Sequence, residues 1–92
     1  SATKALEMGM VNFVVPLEQL ELETQKLSER LAVGPTHVYG NTKRLLNRSL
    51  ENEFESQLQM EAECFADCAT RNDFKEGVTA FVEKRRPKFT GT

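Results

Sequence analysis

Hydrophobic residues in this chain recur mostly at steps of three and four, which is the period of an amphipathic α-helix. The pattern is clearest from Leu17 onward, on the face formed by Leu17, Leu20, Thr24, Leu27 and Leu31. We predict a helix there that ends near Val33, because Gly34 and Pro35 interrupt the repeat.

A second helix is predicted from Pro35 to about Ser49, with Val38, Leu45 and Leu46 as its apolar anchors. Proline is well suited to the first helical position, where its missing N–H is not needed. Gly40 lies inside this helix and lowers its stability by about 1 kcal/mol relative to alanine. We therefore expect close packing or a bend at Gly40.

A longer helix is predicted from about Glu51 to Thr70. Its buried stripe is predicted to be Leu50, Phe54, Leu58, Phe65 and Cys68, widened on one side by Met60 and Cys64. A stripe of this width indicates either a second packing partner or one broad core face.

A last helix is predicted to start at Asn72 and Asp73. Asp73 and Glu76 have the spacing of a capping box, in which each side chain accepts from a backbone N–H at the helix start. The predicted apolar face is Phe74, Val78, Phe81 and Val82. Pro87 then forces an extended exit.

The N-terminal residues predict a short helix over Ala2–Met8, with Gly9 in the left-handed position after its end. Met10–Val15 is rich in β-branched residues and is closed by Pro16, which indicates a short strand or an extended segment. No partner strand is present. The fold class is therefore mainly α, with about four to five helices and one short extended segment near Asn12–Val15.

Composition places the chain among globular proteins, since 39% of its 92 residues are hydrophobic and 28% are charged. This length predicts a single domain over residues 1–92. The net charge of −2 argues against nucleic acid and anionic membranes as partners. No stretch approaches the ~20 apolar residues of a membrane span. The chain begins at Ser1 in a helical pattern, which we interpret as part of a longer protein.

The two cysteines, Cys64 and Cys68, lie on one face of a predicted helix at a spacing that does not suit a disulfide. We interpret them as small core residues in a reducing compartment. The expected location is the cytoplasm, or the mitochondrion or peroxisome if the source is a eukaryote. A metal site is the alternative. Only His37 offers a third soft ligand and no fourth is evident, so no metal is predicted.

The residues suited to catalysis are few. His37 is the single histidine, and the glycines are too scattered for a phosphate-binding loop. The chain alone does not resemble a complete active site, so whether it is an enzyme stays open. The cationic end, Lys84, Arg85, Arg86 and Lys88, suits either compensation of the helix dipole or a phosphorylated ligand.

Several motifs in order resemble the C-terminal part of the crotonase family, the enoyl-CoA hydratases and isomerases. The matching pieces are Ala2-x-x-Ala5-x-x-Met8-Gly9-Met10-Val11-Asn12-x-Val14-Val15-Pro16, Leu31-Ala32-x-Gly34-Pro35, Thr42-Lys43-x-x-Leu46-Asn47, Glu61, and Asp73-x-x-Glu76-Gly77-x-x-Ala80-Phe81-x-x-Lys84-Arg85-x-Pro87-x-Phe89-x-Gly91. The resemblance covers essentially the whole chain.

The resemblance implies a helical region without the family's ββα spiral domain, which carries the oxyanion-binding N–H groups and the catalytic glutamates. It implies a CoA thioester as the parent enzyme's substrate, no further cofactor, and assembly into trimers or hexamers. It implies that Phe81 contacts the adenine and Lys84 the ribose phosphate of CoA. The chain alone is then expected to be inactive and to form dimers or larger assemblies. The alternative is a helical self-association module with no ligand.

Overall fold

The computed structural model describes all residues from Ser1 to Thr92 and contains five α-helices. They are α1 (Ala2–Glu7), α2 (Leu20–Ala32, preceded by a 3-10 turn at Leu17–Gln19), α3 (Thr36–Ser49), α4 (Phe54–Ala69) and α5 (Asn72–Val82). The mainly α prediction is confirmed. Residues 13–16 have no regular secondary structure, so no strand forms.

The chain divides into two compact units, Ser1–Arg30 and Leu31–Thr92. The first unit contains α1, which ends as predicted: Gly9 has a φ of 70°, and its N–H donates to Leu6 O at 3.0 Å. The N–H of Met10 donates to Ala5 O at 2.9 Å, which completes a Schellman motif. No residue of this unit is buried.

The second unit is held together where α3 packs against α4. Cys64 is buried there, and its sulfur accepts a hydrogen bond from Arg44 Nη2 at 3.0 Å. This contact raises the pKa of the Arg44 guanidinium. Gln57 of α4 also donates to the backbone carbonyl of Leu45 at 3.3 Å. The α3–α4 interface therefore combines a buried cysteine with side-chain hydrogen bonds between the two helices.

The predicted buried stripe of α4 is wrong for this chain. Leu50 is 92% exposed, Phe54 77% and Phe65 66%, whereas Cys64 is only 3% exposed. The side of α4 that packs inward is the one predicted only as a widening of the stripe. Packing against α3 buries the small Cys64 side chain and leaves the larger Phe54 and Phe65 exposed.

Two glycines in and before α3 behave in opposite ways. A Cβ at Gly34 would overlap the hydroxyl of Tyr39, so this buried position has no room for a side chain. A Cβ at Gly40 would meet nothing within 4 Å. The expectation of close packing at Gly40 is therefore wrong. Pro35 precedes α3 as its N-cap, one position earlier than predicted.

The predicted capping box of α5 is also wrong, because no side chain caps this helix. The carboxylate of Asp73 instead accepts from the backbone N–H of Thr90 at 2.7 Å and of Gly91 at 2.8 Å. The backbone N–H of Asp73 donates to Thr92 O at 2.9 Å. Asp73 is 5% exposed and anchors the C-terminal segment.

Glu76 anchors the same segment one turn further along. It forms a two-pronged ion pair with Arg85, at 2.6 and 2.9 Å, and accepts from the backbone N–H of Lys88 at 2.7 Å. The Arg85 guanidinium and this N–H lower the pKa of Glu76 to about 2. We call Asp73, Glu76, Arg85 and the segment 88–92 the tail clamp.

Candidate functional site

An apolar groove of about 380 Å³ lies in the second unit, beside the tail clamp. Its apolar walls are formed by Pro35, Val38, Phe74, Val78, Phe81 and Phe89, and its polar edge by His37, Cys68, Arg71 and Asp73. Phe89, which belongs to the tail clamp, forms part of one wall. Its ring packs against α5 at Gly77, where a Cβ would lie 3.6 Å from the ring. The anchored C-terminal segment is therefore part of the groove.

The apolar face of α5 also lines the groove and is largely uncovered. Phe74 is 41% exposed and Val78 50%, although Phe74 makes an edge-to-face contact with Phe65 at a centroid distance of 6.2 Å. Phe81, one of the two predicted binding residues, lines the groove and is 85% exposed. An aromatic ring so exposed is free to stack on a ligand or a partner.

Lys84, the other predicted binding residue, lies just beyond the end of α5 with a φ of 55°. Its N–H donates to Phe81 O at 3.2 Å, and that of Arg85 to Ala80 O at 3.0 Å, which forms a second Schellman motif. A left-handed conformation costs a residue with a side chain roughly 1–2 kcal/mol. Strain of this kind occurs preferentially at functional positions.

The cationic end is divided between two roles. Arg85 is fully engaged, since its guanidinium also donates to Glu83 at 2.6 Å, and these carboxylates raise its pKa. Lys84 and Arg86 take part in none of the ion pairs of the structure. The sequence could not separate these cations, because Arg85 finds its main partner nine residues away in Glu76.

A polar cluster on the edge of the groove was not predicted. The His37 ring nitrogen Nε2 contacts the Asp67 carboxylate, and Arg71 Nη2 donates to the other oxygen of that carboxylate at 2.9 Å. The hydrogen bonds from His37, Asn41 and Arg71 hold the pKa of Asp67 well below its usual range. His37 and Asp67 are thirty residues apart, so no spacing in the sequence linked them.

Comparison with known proteins identifies the family. The enoyl-CoA hydratase/isomerase family model matches residues 1–92, so the chain belongs to that family. The trans-2-decenoyl-[acyl-carrier-protein] isomerase of Streptococcus mutans is 42% identical over 91 residues, which are 99% of this chain and 35% of that protein. The 1,2-epoxyphenylacetyl-CoA isomerase of Escherichia coli is 38% identical, also over 99% of this chain and 35% of its own length.

Solved structures agree with this assignment. An enoyl-CoA hydratase from Bacillus anthracis superposes with a TM-score of 0.87 at 32% identity, over 100% of this chain and 36% of that one. A Geobacillus kaustophilus enoyl-CoA hydratase subunit gives a TM-score of 0.93 at 36% identity, with the same coverage. The chain thus spans about a third of the length of these relatives. None of its helices has the length and apolar composition needed to cross a membrane.

Proposed function

We propose that this chain is the part of an enoyl-CoA hydratase or isomerase that makes subunit contacts and forms one edge of the CoA site. The observation that carries the proposal is the end of α5, where a ring 85% exposed precedes a strained lysine. Phe81 would pack on the adenine and Lys84 would pair with the ribose phosphate. Lysine serves phosphate as a point charge, so an unpaired and exposed ammonium is the suitable form.

A CoA titration followed by calorimetry tests the role of Lys84. Lys84→Glu should weaken binding by about tenfold, which corresponds to about 1.4 kcal/mol. Arg86→Glu makes the same change in charge two residues away and is the matched control. Equal losses in both variants would reduce the effect to general electrostatics and contradict a specific contact by Lys84.

We further propose that the chain alone does not turn over substrate. The resemblance assigns the oxyanion-binding N–H groups and the catalytic glutamates to a spiral domain, and this chain spans about a third of its relatives. Crotonyl-CoA mixed with the chain should keep its enoyl absorbance. A loss of absorbance that disappears when the chain is purified to homogeneity would come from a contaminating enzyme. A loss that persists in the pure chain would refute the proposal.

A second candidate function is self-association without any ligand. The uncovered apolar face of α5 favours it, with Phe81 85%, Val82 73% and Val78 50% exposed. Apolar patches beyond a few hundred Å² tend to be covered by partners. Light scattering after gel filtration should show dimers or larger assemblies. Association without any CoA binding would favour this candidate, and a monomer at every concentration would exclude it.

The free cysteines bear on the cell compartment of the protein. Both cysteines are free thiols, and a reducing compartment keeps them so. We propose the cytoplasm, or the mitochondrion or peroxisome in a eukaryotic source. A relative from Dictyostelium discoideum is described as mitochondrial.

A further inference from the structure

The polar cluster at the groove edge brings together three side chains that commonly bind metals. His37, Asp67 and Cys68 offer one ligand atom each, and these atoms all lie within 4.8 Å of one another. His37 comes from α3, and the other two come from the last turns of α4. No metal was predicted because the two cysteines and His37 left no fourth ligand in evidence. In the structure, Cys68 lies beside His37 and Asp67 instead.

The position of Asn41 shows that the three ligand atoms converge on one point. Its Nδ2 atom lies 3.0 Å from Asp67 Oδ2, 3.3 Å from Cys68 Sγ and 3.4 Å from His37 Nε2. An amide NH₂ group carries partial positive charge on its hydrogens, so it fills a place that suits a cation. We propose that this cluster binds a zinc ion through His37, Asp67 and Cys68, with the Asn41 side chain turned aside.

The chemistry of the donors favours zinc over calcium and magnesium. Imidazole nitrogen, carboxylate oxygen and thiolate sulfur are its usual ligands, at about 2.0–2.3 Å, and three protein ligands leave a fourth position for water. Calcium and magnesium prefer oxygen ligands only. Binding releases the Cys68 thiol proton to solvent, because the thiolate is the ligand. His37 binds as the neutral tautomer with its proton on Nδ1, so that the Nε2 lone pair is free for the metal.

The surroundings both support and limit the site. Arg71 Nη2 donates to Oδ1 of the Asp67 carboxylate at 2.9 Å. The other oxygen, Asp67 Oδ2, is left directed at the cluster. Such outer hydrogen bonds orient ligands for a metal. The Arg71 charge also repels a divalent ion. The side chains of His37 and Asp67 are 29% and 39% exposed, so solvent and ions reach them.

Titration of the metal-free chain with Co²⁺ tests the site, because a cobalt–thiolate bond gives a charge-transfer absorption band. We expect one ion per chain, the band to appear, and Zn²⁺ to displace it. Cys68→Ala should abolish the band and weaken Zn²⁺ binding by at least about tenfold. Cys64→Ala is the matched control and should keep both, since Cys64 is buried against Arg44.

Two further measurements distinguish loss of the metal site from misfolding of a variant. Zn²⁺ should raise the Tm of the unaltered chain and of Cys64→Ala but not that of Cys68→Ala or His37→Ala, with helix content checked by circular dichroism. Asn41→Ala should bind Zn²⁺ up to about tenfold more tightly, because the competing hydrogen bonds are gone. Absence of the band, an undiminished band in Cys68→Ala, or weaker binding in Asn41→Ala would each overturn the proposal.

Discussion

The two sides of helix α5 differ in their exposure to solvent. On one side, Asp73 and Ala80 are 5% and 1% exposed, and two backbone N–H groups of the C-terminal segment donate to the Asp73 carboxylate. On the other side, Phe81 and Val82 are 85% and 73% exposed. The chain thus satisfies the buried carboxylate of this helix internally, while it leaves the apolar surface uncovered.

The difference follows from what each kind of group requires. A buried carboxylate without partners costs far more than an exposed one, so Asp73 must find donors within the chain. Apolar surface can stay exposed in one chain and be buried later against another. The polar side of α5 therefore serves the stability of the chain, and the apolar side is the one that we propose for contact with a ligand or partner.

The largest effect is expected from breaking the clamped side. Asp73→Ala removes the acceptor for two backbone N–H groups and should lower the free energy of unfolding by about 2–4 kcal/mol. Urea unfolding followed by circular dichroism measures it. Lys75→Ala, an exposed change on the same helix, is the control and should stay within about 0.5 kcal/mol. Equal effects would remove the distinction between the two sides.

The second-largest effect is expected from acid, which should lower the stability that Glu76 gives to the tail clamp. The folded pKa of Glu76 is about 2, below its ordinary value of 4.5, so its stabilising contribution is complete above pH 4.5. It is lost as the pH falls from 4.5 to 2. Urea midpoints across this range should fall more steeply for the unaltered chain than for Glu76→Gln. Parallel curves for the two proteins would show that Glu76 does not couple the clamp to protons.

A smaller gain is expected at the end of α5. Lys84→Gly relieves the left-handed strain and should stabilise the chain by about 1 kcal/mol, while CoA binding declines with the loss of the ammonium. Thermal unfolding and calorimetry measure the two effects. Lys88→Gly, where φ is not positive, should bring no such gain. A destabilised Lys84→Gly variant would contradict the strain argument.

The smallest effect on stability is expected on the open side. Phe81→Ser should change the free energy of unfolding by less than about 0.5 kcal/mol, because the ring is 85% exposed. It should nevertheless weaken self-association and CoA binding. Val78→Ser lies one turn earlier and at 50% exposure, so it should cost more stability. A large loss in Phe81→Ser would mean that the ring packs within the chain.

Local interactions explain what the sequence determined by itself. The helices were predictable because their period and their glycine and proline boundaries act within a few residues. Gly9 was placed correctly, since a left-handed turn after a helix favours glycine. Lys84 occupies the equivalent position after α5, and no residue preference indicates it. The family resemblance also rested on sequence, through the order of motifs.

Tertiary structure decided which partners the polar groups and apolar faces found. Asp73 and Glu76 had capping-box spacing, yet they bind residues nine to eighteen positions away. The sequence left open whether the wide apolar stripe of α4 was one broad core face or had a second packing partner, and only packing against α3 selected the part with Cys64. His37 and Asp67 met for the same reason. Contacts at such separations depend on how helices pack, whereas sequence periodicity reports only which face of a helix a residue occupies.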